Sequence, residues 1–87
     1  FEKPDLDTFA GLGLAFKAAN IGGTMPTVFN AANEKAVSLF LENRIRFLQI
    51  AEVIEAAMEA HQVVEAPTVD QILEAEASAH ESVAKCI

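Results

Sequence analysis

Asn30, Asn33 and Glu34 are the polar residues whose spacing most suggests a shared task. On a helix, Asn30 and Asn33 lie i, i+3 and Asn30 and Glu34 lie i, i+4, so the three share a side. There they can meet a partner surface or bond exposed backbone of a neighbouring loop. Each asparagine lowers helix stability by roughly 0.5 kcal/mol against alanine. An ordinary polar helix face with some capping work explains the same spacing, and spacing alone favours it.

Other chemistries are weaker. Gly11-Leu12-Gly13 starts like a dinucleotide loop, but Phe16 occupies the third glycine's place and no strand precedes it. A carboxylate-bridged metal bundle needs Glu-x-x-His on two helices. Only His61 and His80 are present, and neither has Glu three residues before it. Glu76 and His80, at i, i+4, make one pair, which does not complete a site. His80 falls in line with Leu73 and Ile87 and reads as partly packed. Glu52, Glu55, Glu59, Glu65, Glu74 and Glu76 read as a solubilising coat rather than acid–base groups. No Ser or Cys stands in a nucleophile motif. The lone Cys86 cannot form an internal disulfide and reads as a terminal bystander. No catalytic, cofactor-binding or metal residue is assigned to this chain.

Residues 1–87 fit one small domain. The hydrophobic fraction is 52%, enough for a core, although much of it is alanine and each alanine buries little area. A net charge of −7 argues against nucleic acid and against anionic membrane surfaces. No apolar run approaches the ~20 residues of a membrane span, and the N-terminus lacks a signal-peptide pattern. A chain opening on Phe1 rather than Met reads as processed, or as cut from something longer.

The elements expected to position the polar cluster are all helices. Residues 1–4 read as a linker, because Pro4 disfavours helix in Lys3. A short helical turn is expected over Asp5 to Phe9. The first clear stripe is Leu12, Ala15, Phe16 and Ala19, ended by Asn20 and Gly22-Gly23. Pro26 suits the first helical position of a second helix, with Thr24 the better of two caps. That helix is expected to run to about Asn43 and to be central. It would bury Phe29, Ala32, Ala36, Leu39 and Phe40, with Val37 and Leu41 widening the stripe. Ile45 to Leu48 reads as an extended connector. A third helix carries Ile50, Val53, Ile54, Ala57 and Met58 opposite Glu52, Glu55 and Glu59. Val63 to Pro67 breaks it. Thr68 and Gln71 have the spacing of a capping box for a last helix running through Val69, Ile72, Leu73, Val83 and Ile87. The fold class expected is all-α, a small bundle of about four helices.

Thr27-Val28-Phe29-Asn30-Ala31-Ala32-Asn33-Glu34 resembles a signature of the 1-deoxy-D-xylulose 5-phosphate reductoisomerase family. The similarity runs along the chain. Pro4-Asp5-Leu6 and Leu12-Gly13-Leu14-Ala15 resemble the entry into that family's C-terminal domain. Asn43-Arg44-Ile45-Arg46-Phe47, then Ile50, resembles the link between its second and third helices. Leu73-Glu74-Ala75-Glu76-Ala77 resembles its last helix. The chain departs from the family at Ala10-Gly11, where Pro-Cys is usual, at Glu76, usually Asp, and at His80, usually Arg.

The resemblance implies the C-terminal helical domain of an enzyme that makes 2-C-methyl-D-erythritol 4-phosphate in non-mevalonate isoprenoid synthesis. NADPH and a divalent metal are implied for that parent enzyme, and none of their binding positions falls within these residues. The implied partner is the catalytic domain of the parent chain, buttressed by this one, in the cytoplasm or, in a plant or alga, the plastid. Contact is expected around Gly22 to Glu34, through Asn30, Asn33 and Glu34. The alternative is a stand-alone acidic helical interaction domain.

Overall fold

A computed structural model describes the backbone of residues 6–85 and the side chains of residues 13–85. The expected linker over 1–4, the side chain of Leu12, and Cys86 and Ile87 lie outside the described residues. Four helices follow one another: α1 (Leu6–Ile21), α2 (Met25–Leu41), α3 (Phe47–Ala60) and α4 (Val69–Lys85). There is no strand among the described residues. The molecule is an all-α bundle, as expected. The central pair is α2 and α3, with α1 against one side and α4 against the other; α1 and α4 do not touch among the described residues.

α1 is one continuous helix from Leu6, not a separate turn over Asp5 to Phe9. Its buried side chains are Leu14 and Ala18, whereas Phe16 is 63% exposed and Ala19 also faces out. The expected stripe is therefore out of phase. The segment is apolar around its whole circumference, so hydrophobic spacing cannot select one side. The helix ends where expected, with Gly22 and Gly23 at φ of 72° and 57°, backbone that glycine adopts without side-chain strain.

α2 buries Met25, Val28, Ala31, Ala32, Ala36 and Leu39, with Phe29 and Phe40 packed at the edge of the core. Val37 and Leu41 do not widen this face; they point outward, Leu41 72% exposed. The helix stops at Leu41, short of the expected Asn43, because Asn43 takes φ of 61° and closes the end. The Asn43 N–H donates to the Phe40 carbonyl and the Arg44 N–H to the Leu39 carbonyl, both at 2.9 Å. This is the paired closure of a Schellman motif, with asparagine in glycine's usual place.

α3 begins at Phe47, earlier than expected, so the connector is only residues 42–46. Ile45 in that connector is buried. The Arg46 N–H donates to Gln49 Oε1 at 2.7 Å, the return half of a capping box whose cap residue has no acceptor of its own. The rings of Phe40 and Phe47 meet edge to face, 5.8 Å between centroids, across the corner. Val53, Ile54, Ala57 and Met58 face inward and Glu52, Glu55 and Glu59 outward, as expected.

α4 opens with the expected box. The Thr68 N–H donates to Gln71 Oε1 at 2.9 Å and the Gln71 N–H to Thr68 Oγ1 at 3.2 Å. Its buried face is shifted: Val83 goes inside as expected, but in line with Ala75 and Ala79, while Val69 and Leu73 are 72% and 57% exposed. Alanines four residues apart make a smooth ridge that lets two helix axes approach closely. That fit against α2 and α3 outweighs the bulk of Val69 and Leu73.

Candidate functional site

Asn30, Asn33 and Glu34 are all exposed on α2. Two of them share a groove. Asn30 and Glu34, with Thr27 and Ala31, form one wall of a shallow cleft of about 220 Å³, and Ile72 and Glu76 of α4 form the other. Asn33 lies outside this cleft. Buried Ala31 and Ala75 hold the two helices side by side and so bring Glu34 and Glu76 to the same groove. The groove offers a carboxamide, a hydroxyl and two carboxylates, a set suited to backbone N–H groups or a basic side chain of another surface.

Among the described residues no group of three or more His, Cys, Asp or Glu is placed to hold a metal ion. Glu76 belongs to the groove, and His80 is half-buried, partly packed as expected.

Sequence reasoning missed a second polar constellation. Thr24 stands at the cap position of α2, but its side chain makes no capping bond to that helix. It is fully buried and turned to the segment after α3. The Thr24 N–H donates to the Val64 carbonyl at 3.1 Å, and the Val64 N–H donates back to Thr24 Oγ1 at 3.0 Å. His61 Nε2 sits 2.6 Å from the same hydroxyl oxygen. One threonine thus satisfies both backbone groups of Val64 and engages an imidazole. Gly22-Gly23-Thr24 is the only signal available in the chain, and its partner segment lies ~40 residues away with no motif of its own.

The corner borders an open cleft of about 410 Å³ lined by His61, Gln62, Gln71, Glu74 and Ser78. Burial pushes the His61 pKa below its ordinary 6.5. A neutral ring with its proton on Nδ1 accepts the Thr24 hydroxyl proton at Nε2; a charged ring must donate and leaves that hydroxyl to find another acceptor. On acidification the unfolded chain therefore takes up this proton first. The stabilisation is fully present above pH 6.5 and is lost as pH falls through the lowered folded-state value. We expect the urea midpoint to fall between about pH 7 and about pH 5 more steeply than in His61→Gln, which keeps a bonding group but does not titrate. Equal slopes would assign the acid sensitivity to other groups.

Comparison with known proteins gives a consistent result. The model of the DXP reductoisomerase C-terminal domain matches residues 1–82. The chain is similar to 1-deoxy-D-xylulose 5-phosphate reductoisomerase of Agathobacter rectalis, 55% identical over 98% of this chain and 22% of the relative. The enzyme of that name from Acetivibrio thermocellus is 58% identical over 85% of this chain and 19% of its own length. That of Clostridium beijerinckii is 51% identical over 98% of this chain and 22% of its own. The chain thus spans about a fifth of the length of these curated relatives.

Proposed function

Because the chain belongs to the DXP reductoisomerase C-terminal domain family, we propose that it serves as the helical arm of a complete reductoisomerase. The whole enzyme would reduce and rearrange 1-deoxy-D-xylulose 5-phosphate to 2-C-methyl-D-erythritol 4-phosphate with NADPH and a divalent metal, in the cytoplasm. The observation that carries this reading is the match across nearly the whole chain at more than half identity.

The residues here do not fit either group. Glu34 and Glu76 share the groove with one carboxamide and one hydroxyl, short of the about six or more oxygens a resident hard cation takes, and among the described residues no larger ligand group is present. The only Gly-x-Gly lies within α1 and lacks the third glycine and the preceding strand of a dinucleotide loop. No step of the reaction is therefore assigned to this chain. Its part is to pack beside the catalytic domain as one domain and help shape the cleft, with Asn30, Asn33 and Glu34 reaching across.

The test uses the full-length enzyme. Turnover should be seen as substrate-dependent NADPH oxidation, and the 87-residue chain alone should show none. Replacing Asn30, Asn33 and Glu34 together with alanine should lower kcat/KM roughly tenfold, equivalent to about 1.4 kcal/mol of lost positioning. Full activity in that triple variant would remove these residues from the contact, and a full-length protein inert to the substrate would end the reading.

A further inference from the structure

We infer that the outward face of α2, from Asn30 through Glu34 and Val37 to Leu41, is a docking surface for the part of the enzyme that precedes this domain. The inference rests on the proposed function and assigns the contact an apolar half that the polar cluster does not supply.

The four positions are spaced four, three and four residues apart, a single stripe on one side of a helix. That stripe is opposite the one that makes the core. Its far end is apolar: Val37 is 37% and Leu41 72% exposed. Across the corner Phe47 and Leu48 are 48% and 58% exposed, and Phe47 rests against Phe40 beside Leu41. The outward face of α3 shows what a solvated back looks like here, with Glu52, Glu55 and Glu59 in sequence. On that side α2 carries only Val37 and Leu41 after Glu34, with half-buried Lys35 and exposed Ser38 toward the flank. A helix apolar on both sides is ordinarily covered on both.

The occupant follows from length and charge. The matched relatives are about five times longer than this chain, and the family is their C-terminal domain. Preceding chain is therefore abundant. A second copy is a poorer occupant, since it brings another net charge of −7 against the first. Exposed Glu42, Arg44 and Arg46 in the connector flank the apolar corner. The complementary surface is accordingly apolar with a rim of both charge signs.

The experiment compares two leucines of similar exposure in the full-length enzyme: Leu41→Cys on α2 and Leu73→Cys, 57% exposed, on α4. Each is pulsed with a maleimide and the modification at that peptide is followed by mass spectrometry. We expect Leu41→Cys to react at least about tenfold more slowly than Leu73→Cys. Leu48→Cys reads the same surface if the first variant is unstable. Equal rapid labelling overturns the inference. Equal protection of both sites also overturns it, because the cover would not be specific to α2. Protection at Leu41→Cys that vanishes on dilution assigns the face to a second copy and overturns the occupant. None of these readouts depends on turnover, so an inactive enzyme would sink the proposed function while leaving the labelling result to decide this surface.

Discussion

Replacing Gly23 with alanine is expected to lower the unfolding free energy by about 3 kcal/mol or more, against roughly 1–2 kcal/mol for the neighbouring Gly22→Ala. Both glycines have positive φ, so both replacements force a side chain into left-handed backbone. Only one also meets a wall. A Cβ on Gly22 has open space around it. A Cβ on Gly23 collides with the Val64 carbonyl oxygen, and Val63 Cγ1 and Glu65 Cα lie at 2.9 and 3.1 Å. The carbonyl cannot give way cheaply, because it accepts the Thr24 N–H. Moving it breaks the reciprocal Thr24–Val64 pair and exposes the His61 contact. Paired urea titrations of the two variants test this. A Gly23→Ala loss no greater than that of Gly22→Ala would show that the two segments are not held at the distance the corner requires.

The same corner marks the boundary of what the sequence makes legible. Two helix ends are readable because a familiar local chemical rule closes them: Gly22-Gly23 after α1 and the Thr68–Gln71 box before α4. The inward face of α3 was readable because its glutamates mark the other side. α1 offered no such contrast, and the sequence pattern favoured Phe16 where Leu14 is buried. In α4 the pattern favoured Leu73 and Val69 over Ala75 and Ala79, because hydrophobic bulk is visible in a sequence and closeness of approach is not. Thr24 reads locally as a cap; its actual partners, His61 and Val64, are distant in the chain, and only the folded arrangement brings them together. The polar triad was legible as a shared helix side, but Asn33 falls outside the groove that holds Asn30 and Glu34, since α4 covers only one flank of that side.

Which apolar residues stabilise the bundle can be decided by truncation, and Ile54→Ala should be the most damaging. Ile54 is 2% exposed and among the largest fully buried side chains. It sits on α3, which packs against all three other helices, so a cavity there touches the whole core. Large-to-small changes at such sites cost about 2–5 kcal/mol, since the surroundings relax only in part. The core it belongs to offers limited help: Ala18, Ala32, Ala36, Ala57 and Ala79 are among its members, and alanines have no spare side chain to swing into a void. A domain of this size has a total stability on the order of 5–10 kcal/mol, so the variant should lose up to half or more of its margin. Ile54→Val, which removes one methylene, should lose about 1 kcal/mol. Leu73→Ala deletes an equally hydrophobic side chain that is 57% exposed and should stay within about 0.5 kcal/mol of the parent chain. Thermal and urea unfolding of the three variants separates the cases. A Leu73→Ala loss rivalling that of Ile54→Ala would mean that α4 turns its leucine face, not its alanine ridge, toward the core.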